Sequence, residues 1–481
     1  MRTWRLLTVG AGIALMTACA VGPDYKRPAF DATSSYKEQE NWKPSEPSDA
    51  INRGPWWGIY HDDVLDQLEA KIDISNQNVK AAVAAYDQAQ ALVRQAQAGY
   101  WPTVDASATR LRSAGRSGGG SGITTNGITT VTQGSSTVTS NSVGVSANWT
   151  LDIWGQLRRT VESDRASAQA SAAALAAAEL SAQATLATDY FGLRAQDQLQ
   201  RLLDDTVTAE QQSLKITESR YRFGVAAKAD VVSAQAQLLS SQAQQINAKI
   251  QRAILEHAIA VLIGLQPAQF SLPPEPMRPD VPTVPAGVPS TLLERRPDVA
   301  EAERKVAAAN AQIGVATAAY FPSLTLSGSD QYTSSTLSHL ISLPNRAWSL
   351  GPSLAETLFD AGSRRAQVAQ ARAAYEVSVA NYRQTVLSGF EQVEDEIATL
   401  RILEQQSVIE ESAVKAAREA ELLTLNQYKA GTVPYSSVIT AQTTRLSAEE
   451  TALTVLSSRL QASVVLIEAL GGGWNSSQLP H

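Results

Sequence analysis

Few side chains in this sequence could do chemistry, and the sharpest is Cys19, the only cysteine among 481 residues. Arg2 and Arg5 precede an apolar stretch from Leu6 to about Leu15, and Met16-Thr17-Ala18 lead into the thiol. That is the layout of a secretory signal, too short to span a bilayer as a helix. A cysteine directly after small residues sits where a bacterial lipoprotein signal is cut and lipidated. Met16 stands where Leu is usual. Ala20, with no Asp in its place, favours sorting to the outer membrane over retention at the inner one. The alternative is a lone buried thiol, and it would leave bare sulfur in an oxidising compartment. One cysteine allows no disulfide within the chain, so stability rests on packing.

No other constellation suggests catalysis. His61, His257, His339 and His481 are scattered, without ligand-like spacing to Cys, Asp or Glu. No Ser sits in a nucleophile elbow. Gly118-Gly119-Gly120 lacks a following Lys-Ser/Thr pair and reads as a flexible loop tip. The sequence therefore predicts no enzyme, no cofactor and no metal site. The formal charge is −7, and loss of residues 1–18 removes two Arg and no acid, giving −9. Nothing supplies the basic face that nucleic acid would need. Composition, at 44% hydrophobic and 18% charged, is that of an ordinary folded protein. No apolar run after the signal approaches a transmembrane helix, so a membrane crossing would use strands.

The elements around these residues come in two copies. Leu151-Asp152-Ile153-Trp154-Gly155 and Leu358-Phe359-Asp360-Ala361-Gly362 each open a long helical run. The runs end in matching turns, Arg220-Tyr221-Arg222-Phe223-Gly224 and Gln427-Tyr428-Lys429-Ala430-Gly431. Each turn leads to a second helix that stops at Ile263-Gly264 or Leu470-Gly471, and all three landmarks are 207 residues apart. Upstream, Tyr100-Trp101-Pro102 and Tyr320-Phe321-Pro322 match at an offset of 220. A doubled unit of helix, short strands, very long helix, turn and helix is a scaffold with pseudo-symmetry.

Strands are expected at about 102–112, 142–152, 322–333 and 347–355, with a Gly/Ser/Thr-rich loop at about 113–141. Val104, Ala106 and Ala108 alternate with Thr103, Asp105 and Ser107; Val143, Val145, Ala147, Trp149 and Leu151 alternate with Gly144, Ser146, Asn148 and Thr150. Leu324, Leu326, Trp348, Leu350 and Leu354 repeat the pattern. Apolar-out, polar-in strands with aromatic ends (Tyr100, Trp101, Trp149, Trp154, Tyr320, Phe321, Trp348) fit a membrane β-barrel with a wet lumen. Four strands cannot close a barrel, and open edges in hydrocarbon cost several kcal/mol per unsatisfied group. Several chains must therefore share one barrel.

Helices of about 157–222 and 363–428 would each run about 100 Å and need coiled-coil-like partners. In the second, Val368, Tyr375, Val379, Tyr382, Val386, Phe390, Val393, Ile397 and Leu400 form a seam with a period near 3.5. The returning helices, 228–264 and 434–470, are shorter; helices at 62–99 and 297–319 would complete their length. Residues 266–289 hold eight prolines and act as a strap between the copies. The expected organisation is a signal at 1–18 and an extended segment at 19–61. Then come repeat 1 at 62–265, the strap at 266–295, repeat 2 at 296–471 and a tail at 472–481.

Cys19-Ala20-Val21-Gly22-Pro23-Asp24-Tyr25 with Arg27-Pro28, Trp56-Trp57, Asp62, Leu65, the Asn76/Asn78 pair, Leu292 to Asp298 and the two Tyr-x-x-Gly turns carry a resemblance. The chain resembles the TolC superfamily, in its NodT-like lipoprotein branch of outer membrane factors, over essentially the whole mature length. The resemblance implies an α+β membrane protein. It would be a trimer with a 12-stranded β-barrel, four strands per protomer, continued by a long periplasmic α-helical barrel. The N-terminal segment and the strap would form an equatorial belt. It also implies a passive exit duct for drugs or other toxic compounds, docked through a periplasmic adaptor onto an inner-membrane transporter of the resistance-nodulation-division type. A duct for type I protein secretion or ABC-type export is the alternative. Arg220, Tyr221, Gly224 and Val225, with Gln427, Tyr428, Gly431 and Thr432, would be the adaptor-contacting tip. Family members often carry Asp in the second repeat's tip, whereas Val433 to Thr440 has none. Asp230, Tyr435 and Thr440 are the gate candidates that remain.

Overall fold

The computed structural model describes residues 20–30, 36–38, 55–116, 122–125, 128–131, 135–278, 280–284 and 294–480. The signal stretch, Cys19, Gly118-Gly119-Gly120, Leu292-Leu293 and His481 lie outside the described residues. Helices α1 (Asp63–Ser75) and α2 (Gln77–Ala98) come first. Strands β1 (Thr103–Arg116), β2 (Gly122–Thr125), β3 (Ile128–Val131) and β4 (Ser135–Leu151) follow, then helices α3 (Gln156–Arg222) and α4 (Lys228–Leu262). The second copy contains α5 (Pro297–Ala318), β5 (Ser323–Ser334), β6 (Arg346–Ala355), α6 (Ser363–Ala430) and α7 (Tyr435–Ala469).

Two expected elements need correction. The single helix at 62–99 is two helices, broken at Asn76, whose backbone is extended. Asn76 stops α1 and caps α2: its side-chain oxygen accepts from Asn78 N at 2.9 Å and Val79 N at 3.1 Å. Its amide donates to Leu262 O at 2.8 Å, which places the break against the end of α4. The loop at about 113–141 is also largely strand. Its Thr, Ile and Val residues suit a pleated ladder, so β1 reaches Arg116, β4 begins at Ser135, and β2 pairs with β3 between them.

The main sheet has the order β1-β4-β5-β6, all antiparallel, so β4 of the first repeat pairs with β5 of the second. The register sorts residue types by face. Ala106, Val145, Asp330 and Trp348 share one row, and Val104, Ala147, Gly328 and Leu350 another. The opposite face carries Ser107, Ser146, Ser329 and Ser349 among others, with Ser329 and Ser349 hydroxyls 2.9 Å apart.

Compactness divides the chain differently from its repeats, since each compact unit takes pieces of both. One unit holds residues 1–27, 89–168 and 305–378. In it the described N-terminal strip is pinned to α3 and α5. Arg159 donates to Val21 O and to Asp24, at 3.2 and 2.9 Å, and Asn310 donates to Pro23 O at 3.0 Å. Gly22 has φ +99°, and a Cβ there would lie 2.5 Å from Gly314 Cα. Trp154 donates to Pro322 O at 2.8 Å and stacks on Phe321, while Trp149 donates to Tyr100 O at 2.9 Å.

The other unit holds residues 28–88, 169–304 and 379–481. Leu65, Leu68 and Ile72 of α1 bury at helical spacing against Leu186, Tyr190 and Leu193 of α3, with Val393 and Ile397 of α6 and Leu460 and Leu466 of α7. Of the predicted seam, Val379, Tyr382, Val386, Val393, Ile397 and Leu400 are buried. Among the described residues α7 alone is long and apolar enough to cross a membrane, contrary to the sequence reading. Its Leu460, Val464, Leu466 and Ile467 are buried in this core instead. Arg194 and Arg252 grip the strap through Pro273 O and Leu272 O, at 2.9 and 2.6 Å, and both bond Asp197. Arg296 makes a two-pronged bond to Asp298 and caps α7 at Ala469 O, 3.0 Å away.

Candidate functional site

The turn after α3 and the turn after α6 have one backbone solution. Gly224 and Gly431 take φ +73° and +80°, values open to glycine without Cβ strain. Gly431 N donates to Tyr428 O at 2.9 Å and Thr432 N to Gln427 O at 3.0 Å. Gly224 N and Val225 N repeat this toward Tyr221 O and Arg220 O, at 2.9 and 2.8 Å. Both are the paired bonds that close a helix C-terminus with glycine. The Thr432 hydroxyl adds a second bond to Gln427 O at 3.0 Å.

Side chains then part company. Tyr221 and Phe223 are 45% and 81% exposed, and Val225 is exposed too. Tyr428 is 3% exposed and packs edge-on against Tyr435, ring centres 5.1 Å apart. Arg220, at the end of α3, reaches the second turn: its Nη1 donates to Lys429 O at 2.7 Å and its guanidinium lies 4.8 Å from the Tyr428 ring centre. Tyr428, Tyr435, Val438 and Ala234 form a small buried core with Leu214, Ile216 and Ile439 against it. Burial, helped by the nearby Glu210 carboxylate, pushes the Tyr435 phenol up to about 12.

Behind this core lies a polar ladder. Gln442 donates to Ser213 Oγ at 3.2 Å and Gln237 to Glu210 at 3.0 Å. Arg445 bonds Thr206 Oγ1 at 3.1 Å and pairs with Glu421 and Glu449. Burial raises the Glu210 carboxyl above its ordinary range, with the Gln237 and Ser241 hydrogen bonds opposing.

The eight expected tip residues thus sit in and beside two like turns, but Arg220 and Tyr428 belong to a clasp between hairpins, whereas Gln427 and Thr432 bond each other within the second turn. The gate candidates divide. Tyr435 is 1% exposed at the centre of the small core, and Asp230, in the first turn of α4, acts on its phenol electrostatically. Thr440 is exposed and spends its hydroxyl on Ser436 O of its own helix, 3.1 Å away. Glu210, Ser213, Gln442 and Arg445 went unnoticed in the sequence, because single polar residues in long Ala/Gln-rich helices carry no local signal. Among the described residues no group of His, Cys, Asp and Glu could hold a metal.

A family profile described as outer membrane efflux protein matches residues 70–265 and 288–472. The chain is a member of the outer membrane efflux protein family. Pyoverdine export outer membrane protein OpmQ of Pseudomonas aeruginosa is 32% identical, over 97% of this chain and 98% of its own length. Antibiotic efflux pump outer membrane protein ArpC of Pseudomonas putida is 29% identical, over 98% and 96%. The solved structure of the outer-membrane channel OprN superposes with a TM-score of 0.85 at 30% identity, covering 95% of this chain and 100% of that one. This efflux protein is accordingly a trimeric outer-membrane channel: four strands per protomer complete a twelve-stranded barrel, and the helices build a periplasmic α-barrel. It serves as the outer-membrane component of a tripartite efflux system, with an adaptor and an inner-membrane transporter as partners.

Proposed function

We propose that this chain is the passive exit duct for small toxic organic compounds expelled by a resistance-nodulation-division transporter, and that its tip is held shut by the Arg220 clasp. The observation that carries the duct reading is the sorting of the sheet into an apolar face and a Ser/Thr face. Twelve such strands give a wall that lipid accepts outside and water accepts inside. OpmQ is named for pyoverdine and ArpC for antibiotics, so at similar identities to this chain the cargo differs. Cargo choice then belongs to the pump, and the duct needs only a wet, wide passage.

The two glycine turns are the adaptor contact. The exposed Tyr221, Phe223 and Val225 support this, since apolar side chains left bare at a helix end suit a partner. Asp230, Tyr435 and Thr440 contribute to the gate in unequal ways: Tyr435 fastens the hairpins from within, and Asp230 sets its electrostatic surroundings. Cys19 is lipidated and becomes the mature N-terminus. Support comes from Ala20, which sits against Gly155 at the junction of β4 and α3, beside the stacked Trp154 and Phe321.

Efflux reconstituted with the cognate adaptor and pump tests the tip. Gly224→Val and Gly431→Val should each depress export while trimer and membrane level hold; normal export would place the contact elsewhere. In planar bilayers Tyr435→Ala should raise single-channel conductance, and unchanged conductance would remove the fastening role. Mass spectrometry of the mature N-terminus should find acyl chains on Cys19, and an unmodified start would refute the anchor.

A further inference from the structure

The apolar face of the sheet, which meets lipid, is not uniform along its length. Toward the helices it ends in Trp149, Leu151, Leu324 and Leu354. Toward the hairpin ends it changes character. Here β1 places Arg110 and Arg112 on this face, two and four residues beyond Ala108, and β6 begins with Arg346 opposite Tyr332. Arg110 and Arg112 are exposed. Asp330 is the one acid on this face among the described residues, and Arg346 already holds it, at 2.6 and 2.9 Å. The loop at 335–345 carries no acid either. The rim is therefore net positive, in a chain that is net negative.

Directly below the rim is a concavity of about 430 Å³, floored by Ala106, Ala108, Val143 and Val145 and bordered by Tyr332, Ile341 and Asp330, the carboxylate that Arg346 holds. Its floor is low because Ala residues stand where Leu or Trp stand elsewhere on the face. Ile341 comes from the 335–345 loop, which also exposes Leu337 and Leu343, 61% and 80% accessible. A slot floored by short apolar side chains, its one acid paired with Arg346, beneath a row of guanidinium groups has the polarity of one lipid molecule: acyl chain below, phosphate above.

We propose that this face is a binding site for the bis-phosphorylated glycolipid of the outer leaflet, one per protomer, its acyl chain in the slot and its phosphates on Arg110, Arg112 and the free edge of Arg346. Charge complementarity selects an anionic headgroup, and Arg is the side chain that grips phosphate with two prongs. Spacing selects one with two anionic ends. Arg110 and Arg346 stand on strands three places apart, about 14 Å at sheet spacing. The exposed apolar loop side chains fit a position at the membrane boundary, where lipid covers them.

Native mass spectrometry of the detergent-purified trimer tests this, with bis-phosphorylated lipid A, monophosphorylated lipid A, phosphatidylglycerol and inorganic phosphate as separate probes. The expected result is retention of up to three copies of bis-phosphorylated lipid A, with weaker retention of the monophosphorylated form and weaker still of phosphatidylglycerol. The double variant Arg110→Gln/Arg112→Gln should weaken lipid A binding about tenfold or more. Ala108→Phe, which fills the slot and leaves every charge, should weaken it as well. Trimer mass and channel conductance serve as the controls for folding. Equal retention of phosphatidylglycerol would overturn the selectivity, and full competition by inorganic phosphate would make this a free-phosphate site. Should the double variant fail to assemble, unaltered lipid A binding by Ala108→Phe overturns the proposal by itself.

Discussion

The first and second helix hairpins end in turns with the same glycine, the same paired backbone bonds and a tyrosine at the same position, yet they are physically unlike. Tyr221 is 45% exposed and its counterpart Tyr428, 207 residues on, is 3% exposed. The cause lies seven residues further along: the first returning helix starts with Lys228 and the second with Tyr435. Tyr428 has a ring to pack on, and Tyr221 has a flexible cation in that place. The other asymmetry is Arg220, whose counterpart is Gln427. A Cβ on Gly224 would meet nothing within 4 Å, whereas one on Gly431 would lie 3.5 Å from Arg220 Nη2. Equal backbones thus yield one free tip and one clasped tip. The free one can offer its surface outward, and the clasped one depends on its neighbour for position.

The strongest way to break this comparison is to truncate the two tyrosines in turn. Tyr428→Ala empties a closed core and should cost about 3 kcal/mol locally, while Tyr221→Ala should stay within about 0.5 kcal/mol. Hydrogen exchange of segments 205–240 and 420–445 reads both; matching effects would mean the hairpins are equivalent after all. A smaller change is expected from Arg220→Ala, which removes one ring contact and the bond to Lys429 O. About 1–2 kcal/mol of tip protection should go, against almost none for Gln427→Ala. Arg220→Lys should restore little, because a point charge cannot cover the ring and reach the carbonyl together.

The smallest effect concerns pH. The first repeat buries Glu210 where the second buries Ala417, at 2% and 8% exposure. Burial raises the Glu210 carboxyl above its unfolded value, so the folded tip holds that proton more tightly than the unfolded chain does. Its stabilising share is complete below the ordinary carboxylate range and fades as pH climbs through the raised value. Tip protection should therefore decline gently from acid toward neutral pH, and Glu210→Gln should flatten that slope. An unchanged slope in Glu210→Gln would assign the pH dependence to other groups.

Much of the fold was legible because it is written in short-range periodicity. Val143, Val145 and Ala147 alternate with Gly144 and Ser146, and the register places them on one face as that alternation implies. Val379, Tyr382, Val386, Val393 and Ile397 recur at helical spacing, and they are buried. The glycine turns were legible because only glycine takes φ near +75° at no cost to a side chain. The break at Asn76 was missed, since its cause is Leu262 O, 186 residues away. The two glycine turns were legible, and the contacts their side chains make were not. Arg220 and Tyr428 were visible as tip residues, but nothing near them in sequence marks one as the clasp and the other as what it covers.

The sequence by itself determined the repeat, the two faces of each strand, the long helices, the glycine turns and the need for more than one chain. All of these follow from relations between residues a few places apart, or from counting strands against the edges that lipid will not tolerate. Tertiary structure alone decided that β4 pairs with β5 across the repeats, that Arg220 closes on Lys429, and that Tyr428 is buried while Tyr221 is bare. The reason is the range of the interaction. Two copies of one local pattern become different surfaces only when each meets a partner about two hundred residues away, and which faces meet is settled by the packing of the whole chain.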